Sequence, residues 1–360
     1  MNRLVLTGNG FDLAIGAKTN YSSFILDLKK KSLIDALDDK HTGKIKFNWQ
    51  RKYRSTTEEI NLINNLETNK GFRKFTRDRG IEITSENEFI KSLLKKDDKD
   101  GWVNIEQFYY DNLITSKDPF KLNEGLHFIA NRLYVYLKEQ QDAFKKDESR
   151  WWNQLRIKFS RRINKRNLKN FGKNIENTNL SEVCFLSFNY TNFIVKMTAE
   201  LDELRKDINF TVNRIHGDLE ENNTPIIFGY GDEHDSYYNE LENKNENEYL
   251  RNIKSFHYLA DDKYKDLLLF MNSGIFEILI CGHSCEKSDK TLLKQIFEHP
   301  NRVSINPMIY KDELGLDDYE DKIMNISRLF EDKILMRELL VSKKRAETFP
   351  RQVMKTKRAD

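Results

Sequence analysis

The feature that most constrains the fold is a series of short apolar runs, each followed by glycine or small polar residues. The first run, residues 4–6, leads directly into Thr7-Gly8-Asn9-Gly10. Stretches with helical periodicity separate the runs, and this alternation is typical of a parallel sheet covered on both faces. The pattern predicts an α/β fold with a Rossmann-like, mostly parallel sheet flanked by helices. The predicted strands cover residues 4–6, 183–186, 210–215, 226–228, 276–280 and 302–305.

The long interval between the first and second strands predicts a large helical insertion after the first strand and helix. Residues 38–80 are polar and rich in Lys, Asn, Glu and Arg, so we expect this part to be partly helical and partly exposed. Residues 89–171 mostly have helical spacing. The expected organisation is a discontinuous α/β nucleotide-binding domain at residues 1–37 and 178–342, a mainly helical insertion domain at 38–177 and a basic tail at 343–360.

The charge balance argues against a chain that coats nucleic acid. Lys and Arg number 60 and Asp and Glu 57, which gives a net charge of only +3. The basic tail could grip nucleic acid, but such a tail is more often a solvated end. The start of the sequence has no apolar core of signal-peptide length, and no long apolar run follows. We therefore expect a cytoplasmic protein that does not engage a membrane.

Cysteines set a limit on disulfide and metal chemistry. The three cysteines, Cys184, Cys281 and Cys285, do not make a disulfide framework or a four-cysteine zinc site. Cys281-Gly-His283-Ser-Cys285 does present three side chains of metal-ligating types. Buried thiols beside the end of a strand are the more common interpretation, and we expect no metal.

The loop after the first strand, Gly8-Asn9-Gly10-Phe11-Asp12, has the composition of a phosphate-binding turn. Glycines let the backbone approach a phosphate, and the dipole of the following helix favours negative charge. The full G-x-G-x-x-G pattern fails because Leu13 stands at the third glycine position. A hydride-transferring dehydrogenase is therefore not supported, and a tight turn without a ligand is the alternative.

Two further loops carry a candidate catalytic pair. Asn189, followed by Tyr190, comes after the second strand of the α/β domain, and its amide offers both a donor and an acceptor. His216 follows the next strand, and histidine is the residue type best suited to accept a proton near neutrality. We expect its ring to be partly exposed beside Gly217. The alternatives are a helix N-cap for Asn189 and a structural role for His216.

The fourth loop consists of Cys281-Gly282-His283-Ser284, with Asp289 beyond it. Its glycine and small polar residues are suited to a second loop at the edge of a ligand-binding site. Ser284 could instead cap the next helix, and Asp289 could lie in its first turn. The carboxyl ends of parallel strands meet at one edge of a sheet, so we expect all four loops to form one cleft.

The sequence blocks around these loops resemble a known family. LVLTGNGFDLAIGAKTNYSSFI is similar to the opening signature of the bacteriophage abortive-infection AbiH family. LSFNYTNFI, IHGDL, IIFGYG and CGHSCEKSDK resemble its later blocks in the same order, and WVNIEQFYY resembles another, with Glu106 as its acid. The resemblance implies antiviral defence by abortive infection, with a phage component as the candidate trigger.

The order of the loops is also distantly similar to that of sirtuin-like NAD-binding domains. By this similarity Asn189 and His216 fall on the catalytic pair. Gly8, Asn9, Gly10, Gly282 and Ser284 fall on cofactor loops, and we expect Asp12, Tyr190, His283 and Asp289 to contribute to nucleotide binding as well. The zinc module of protein deacetylases is absent from the sequence, so the resemblance favours consumption of NAD over deacylation.

Three functions are consistent with these features. The first is an NAD glycohydrolase that takes NAD as its substrate and hydrolyses the nicotinamide–ribose bond, with His216 as general base and Asn189 orienting the ribose. The second is a non-catalytic nucleotide-binding sensor whose helical insertion detects a phage component. The third, less favoured because no acidic metal cluster of the nuclease type stands out, is a nucleic-acid-directed toxin. A homo-oligomer is left open.

Overall fold

The computed structural model describes residues 1–38, 40, 42–49, 56–96, 104–146, 151–172, 175–220, 226–312 and 314–349. The chain divides into two compact units. The first unit contains Met1–Ala17, Gln141–Ile227 and the chain from Lys254 onward. The second unit contains Lys18–Gln140 and Phe228–Ile253. These divisions do not coincide with the domain boundaries expected at residues 37/38 and 177/178.

Strands and helices are interspersed along the described part of the chain. The strands are β1 (Asn2–Thr7), β2 (Lys46–Trp49), β3 (Ile81–Thr84), β4 (Glu182–Ser187), β5 (Asn209–Arg214), β6 (Phe276–Cys281) and β7 (Arg302–Pro307). The α-helices are α1 (Asn9–Ala14), α2 (Tyr21–Leu37), α3 (Thr57–Asn64), α4 (Asn69–Asp78), α5 (Glu88–Lys95), α6 (Ile105–Thr115), α7 (Pro119–Ala143), α8 (Trp152–Ser160), α9 (Phe193–Leu204), α10 (Ser236–Asn243), α11 (Lys254–His257), α12 (Lys263–Asn272), α13 (Lys290–Phe297), α14 (Tyr319–Ser327) and α15 (Lys333–Leu339).

The first unit is built on a five-stranded parallel sheet in the order β5-β4-β1-β6-β7. This sheet, flanked by helices, confirms the predicted α/β, Rossmann-like fold. Thr7 pairs in register with Ser187 on one side and Cys281 on the other, so β1, β4 and β6 end at one edge. The chain builds outward from β1 to β5, then crosses to β6 on the other side of β1. Open α/β sheets bind ligands beside such a reversal of strand order.

Burial on both faces explains why the strands form continuous apolar runs in the sequence. Successive side chains of a strand point to opposite faces of its sheet. Leu4 and Leu6 belong to a core cluster on one face with Ile278. Val5 belongs to the core cluster on the other face with Phe185. Both faces of the sheet are therefore buried. The sequences of β1, β4 and β6 show no alternation of apolar and polar residues, which would indicate a face exposed to solvent.

The strand predicted at residues 226–228 is wrong. These residues have no regular secondary structure, and the N–H of Ile227 donates to the carbonyl of His216 at 2.9 Å. The next bridge of this segment joins Tyr230 to Ile253, outside the five-stranded sheet. A short apolar run before a glycine satisfies the strand pattern, but the pattern does not reveal which backbone partners are within reach.

The second unit is mainly helical, but it also contains a small antiparallel ribbon. β2 pairs with β3, and Lys46 lies opposite Thr84. Threonine and asparagine caps begin several helices of this unit, as at Thr56, where the side chain accepts the N–H of Glu59. Leu33, Ile63 and Phe72 contribute to its small core. The polar segment at residues 38–80 therefore includes a strand and two helices.

The basic tail expected at residues 343–360 is described only as far as residue 349. Within that part, Lys343 forms an ion pair with Asp317 at 2.9 Å. Arg345 donates from Nη1 to the carbonyl of Arg166, also at 2.9 Å. These basic groups therefore contact the protein's own surface, and the rest of the tail lies outside the described residues. Across the described ranges, no helix has both the length and the apolar character needed to cross a membrane.

Candidate active site at the carboxyl edge of the sheet

The loops after β1 and β6 pack backbone against backbone. The N–H of Gly8 donates to the carbonyl of Cys281 at 3.2 Å, and the N–H of Gly10 donates to the carbonyl of Gly282 at 2.9 Å. A Cβ atom on Gly8 would lie 2.7 Å from Cα of His283, and one on Gly10 would lie 2.7 Å from Cα of Gly282. Glycine is required at these positions because no side chain fits between the two loops.

This packing gives the glycines a role that differs from the predicted approach to a phosphate. Gly8 and Gly10 already donate their N–H groups within the protein. Gly282 has a φ of +79°, and a Cβ atom on it would lie 2.1 Å from the nitrogen of Phe11. The contact between the loops thus accounts for three glycines without a nucleotide. That they also bind NAD stays a prediction.

Asn189 and Asp12 form a buried link between the loops after β4 and β1. Nδ2 of Asn189 donates to Oδ1 of Asp12 at 2.7 Å and to the carbonyl of Gly8 at 3.0 Å. Oγ1 of Thr191 donates to the other carboxyl oxygen of Asp12 at 2.7 Å. Burial raises the pKa of Asp12 to about 7, although both hydrogen bonds act in the opposite direction. Asn189 therefore braces the edge of the sheet, and its role toward a ribose stays a prediction.

The N-cap position of α9 falls on Asn192 and not on Asn189. The alternative interpretation of Asn189 as a helix cap is therefore wrong. The amide of Asn189 is fully used on its donor side by the two contacts to the loop after β1. Its position at the end of β4 is explained by this cross-loop link, which needs two donors on one short side chain.

His216 lies against a carboxylate and a phenol. Its Nε2 is 3.2 Å from Oδ1 of Asp289 and 3.1 Å from the hydroxyl oxygen of Tyr258. The ring of Phe188 meets the imidazole edge to face, with centroids 5.1 Å apart. His216 is only 3% exposed, so the expectation of a partly exposed ring is wrong. The aromatic rings of Phe188 and Tyr258 pack against the imidazole that was expected to be open.

Burial is also the main cause of the altered pKa of His216. Removal from water, assisted by the positive charge of Lys254, lowers this pKa to about 4, although the carboxylate of Asp289 acts in the opposite direction. The imidazole is therefore neutral at pH 7. With its proton on Nε2 it donates to Asp289, which leaves Nδ1 as the basic nitrogen. Within the described part of the chain, no group is hydrogen-bonded to Nδ1 of His216.

Asp289 is the centre of a buried charged cluster. Nζ of Lys254 donates to its Oδ1 at 2.8 Å, and Nε2 of His283 lies 3.4 Å from its Oδ2. Nδ1 of His283 accepts the N–H of Cys285 at 2.9 Å, which places the imidazole proton on Nε2, toward Asp289. Burial raises the pKa of Asp289, but Lys254 and His216 outweigh it and hold this pKa well below the ordinary value. Asp289 is therefore an anion.

Contacts among these residues bring all four predicted loops together. The ring of Phe188, in the loop after β4, lies 4.1 Å from the ring of His283, in the loop after β6. Tyr190 is buried and donates its hydroxyl to the carbonyl of Ile227 at 3.0 Å. His216 and Asp289 then join the loop after β5 to the residues beyond β6. The cluster lies wholly within the first unit.

Two predicted residues lie at its margin. Ser284 is exposed, and its carbonyl accepts from Nδ2 of Asn325 at 3.0 Å. It caps no helix, because the N-cap position of the next helical turn is Glu286. Asn9 begins α1 and is half-buried. Among the predicted site residues Ser284 is the exposed one, and Asn9, Gly10 and Gly282 are half-buried.

Sequence reasoning missed Lys254 and Tyr258. Both come from α11 and the residue after it, a segment that does not follow a strand of the sheet. Lys254 is only 1% exposed, whereas its neighbours Phe256 and His257 face solvent. Nothing in Lys-Ser-Phe-His-Tyr marks the lysine as the buried member of the segment. A buried lysine is rare unless it is paired, so the structure singles out a residue that the sequence cannot.

The cysteines add no metal centre to this cluster. All three are buried free thiols, and burial raises the pKa of Cys184 and of Cys285 to about 12. Among the residues that the structure describes, no group of three or more His, Cys, Asp or Glu side chains is placed to hold a metal ion. The alternative ligand set of Cys281, His283 and Cys285 therefore has no support from the geometry.

Comparison with known families identifies the chain. Its sequence matches the family described as bacteriophage abortive infection AbiH over residues 4–310. The chain belongs to the AbiH family. The AbiH match spans all four loops and nearly the whole parallel sheet, and it indicates a function in abortive infection, a defence against bacteriophage. No curated protein matches this AbiH sequence. The similarity to sirtuin-like NAD-binding domains stays a prediction.

Proposed function

We propose that this AbiH protein binds NAD at the carboxyl edge of its sheet and hydrolyses the nicotinamide–ribose bond as its contribution to phage defence. One observation carries the proposal: the neutral imidazole of His216 is held by the carboxylate of Asp289 at 3.2 Å. This pair lies at the edge where a parallel sheet with reversed strand order takes its ligands. A carboxylate that orients an imidazole is the usual support of a histidine base.

His216 accepts a proton in this proposal. When a water molecule attacks the ribose carbon, the bond to nicotinamide breaks and nicotinamide leaves with the bonding electrons. Nδ1 of His216 takes the proton from the water or from a ribose hydroxyl. The imidazolium that results is stabilised by the anion of Asp289, and general-base assistance of this kind is worth about 10²–10⁴ in rate.

Asp12 and Asn189 have a supporting role in the same reaction. Their hydrogen bond of 2.7 Å ties the loop after β1 to the loop after β4. Because Asn189 also donates to Gly8, the turn that faces the nucleotide is held at a fixed distance from the end of β4. In this proposal the fixed position of Asn189 serves to orient a bound ribose, and its amide takes no part in bond making or breaking.

A nucleotide-binding sensor without turnover is the second candidate. The observation in its favour is the depth of His216, which is only 3% exposed and has its pKa lowered to about 4 by burial. Both properties weaken a histidine as a base at neutral pH. A sensor would still need the cluster of loops, but it would bind NAD and release it unchanged.

Release of nicotinamide from NAD by the purified full-length protein tests the proposal. We expect the His216→Gln and Asp289→Asn variants to lose at least about 100-fold of the wild-type rate. His257→Gln is the matched control, because His257 is an exposed histidine in the same compact unit. NAD content measured in phage-infected cells should fall with the wild type and with H257Q, but not with H216Q. Calorimetric binding of NAD without nicotinamide release would favour the sensor. If the protein neither binds NAD nor releases nicotinamide from it, both functions are contradicted.

A further inference from the structure

We propose that Lys254 is a positioning residue of this site, which acts through Asp289 to keep His216 in its neutral, proton-accepting form. This inference rests on the proposed function, because that function gives His216 its role as a base. Its geometric basis is a shared oxygen atom. Oδ1 of Asp289 accepts Nζ of Lys254 at 2.8 Å and lies 3.2 Å from Nε2 of His216.

Lys254 reaches Asp289 from inside the protein. It is the first residue of α11 and is only 1% exposed, although Phe256 two residues later is 46% exposed. Burial of an ammonium group is costly even when the group is paired. A surface lysine on the same short helix would avoid this cost, so the placement requires a reason beyond solubility or helix formation.

Charge balance around His216 supplies that reason. The titratable groups that face it are Asp289 and His283 from the residues beyond β6, Lys254 and Tyr258 from α11 and its end, and Tyr190 from the loop after β4. Asp289 is held as an anion, and an anion alone at 3.2 Å would draw a proton onto the imidazole. The positive charge of Lys254 offsets this attraction, so the carboxylate orients the ring without protonating it. A protonated His216 could not accept a proton from water.

Titration of His216 in the full-length protein tests this inference without any substrate. The probe is ¹³C-labelled histidine observed by NMR, with the His216 signal assigned through H216Q. We expect the wild-type signal to show a neutral ring at every pH above about 5. In Lys254→Met we expect the midpoint to rise by at least about one pH unit, because a buried anion then faces the ring alone.

Two further variants distinguish the effect of the Lys254 charge on the His216 midpoint from the effect of losing the Lys254 side chain. Lys263→Met is the matched control, since it removes a lysine from another Lys–Asp pair, with Asp261 at 2.6 Å. It should leave the titration of His216 unchanged. Lys254→Met combined with Asp289→Asn removes both buried charges, so this double variant should fold even where K254M does not, and its His216 should titrate as in the wild type. An unchanged midpoint in folded K254M, or a raised midpoint in the double variant, overturns the inference.

The pH dependence of nicotinamide release extends the test to catalysis. The acid limb of the K254M profile should be displaced to higher pH by the same interval as the NMR midpoint, so K254M should lose turnover near its raised midpoint and recover it above that pH. K263M should keep the wild-type profile. Absence of turnover in the wild type would contradict the proposed function, but the NMR midpoints would still decide the role of Lys254. Equal midpoints in K254M and wild type would reject that role whatever the activity.

Discussion

Replacement of the buried carboxyl of Asp12 by an amide should stabilise the protein above neutral pH. Asp12 is 2% exposed, and burial raises its pKa from the ordinary value of 3.8 to about 7. Because the folded state binds the proton more tightly than the unfolded state, this group contributes full stability below pH 3.8. The contribution is lost as the pH rises through about 7. The free energy of unfolding should therefore fall across this interval.

The magnitude follows from the two pKa values of Asp12. A rise of about three pKa units corresponds to about 4 kcal/mol, which is the most that ionisation of this carboxyl costs above pH 7. In Asp12→Asn the acceptor for Nδ2 of Asn189 is kept, and Oγ1 of Thr191 can accept from the new amide. We expect D12N to exceed the wild type by about 3–4 kcal/mol at pH 8.5 and by only about 1–2 kcal/mol at pH 5, where the carboxyl is ionised in the unfolded state alone.

Urea unfolding of the full-length protein at several pH values between 5 and 8.5 measures this difference. Asp202→Asn is the control, because Asp202 is an exposed aspartate on α9 in the same compact unit. It should change the free energy of unfolding by the same small amount at every pH. If D12N and the wild type lose stability in parallel as the pH rises, the carboxyl is not the buried acid that its contacts indicate, and the reasoning fails.

Two other predictions use the same edge of the sheet. Gly10→Ala should lower the free energy of unfolding by about 1–3 kcal/mol, because its Cβ would lie 2.7 Å from Cα of Gly282. The control is Gly274→Ala, whose Cβ would have one neighbouring atom, at 3.9 Å. It should lower the free energy of unfolding by less than about 1 kcal/mol in the same urea assay. Equal losses would contradict the backbone contact. The three thiols should resist a water-soluble disulfide reagent in the native protein and react when it is unfolded, because they are buried and burial raises their pKa values. Rapid reaction of any cysteine before unfolding would contradict their burial.

The strands of the sheet could be predicted from the sequence because each is buried on both faces. Val5 and Leu6 point to opposite cores, so the whole run is apolar and stands out. The meeting of Gly8 with Gly282 also follows from topology, since the carboxyl ends of parallel strands share an edge. At residues 226–228 the same apolar pattern failed, because strand pairing depends on a partner that periodicity does not specify.

The electrostatics of the site could not be predicted in the same way. The depth of His216 depends on Phe188 and Tyr258, which come from distant parts of the chain. Its neutral state follows first from this burial and second from the positive charge of Lys254, which lies on a short helix outside the strand–loop pattern. A strand-end histidine can be found from its position, but its exposure and charge are set by tertiary neighbours. The sequence therefore predicts the position of a candidate catalytic group better than it predicts the exposure and the charge of that group.

The contact between the loops after β1 and β6 also limits how this protein can evolve. A bulky substitution in an ordinary core can be compensated by a smaller side chain on the neighbour. At Gly10 the neighbour is the main chain of Gly282, which has no side chain to reduce. A second mutation elsewhere therefore cannot create the missing space. Selection for suppressors of Gly10→Ala should return true revertants at residue 10, while ordinary core defects in the same sheet acquire second-site suppressors.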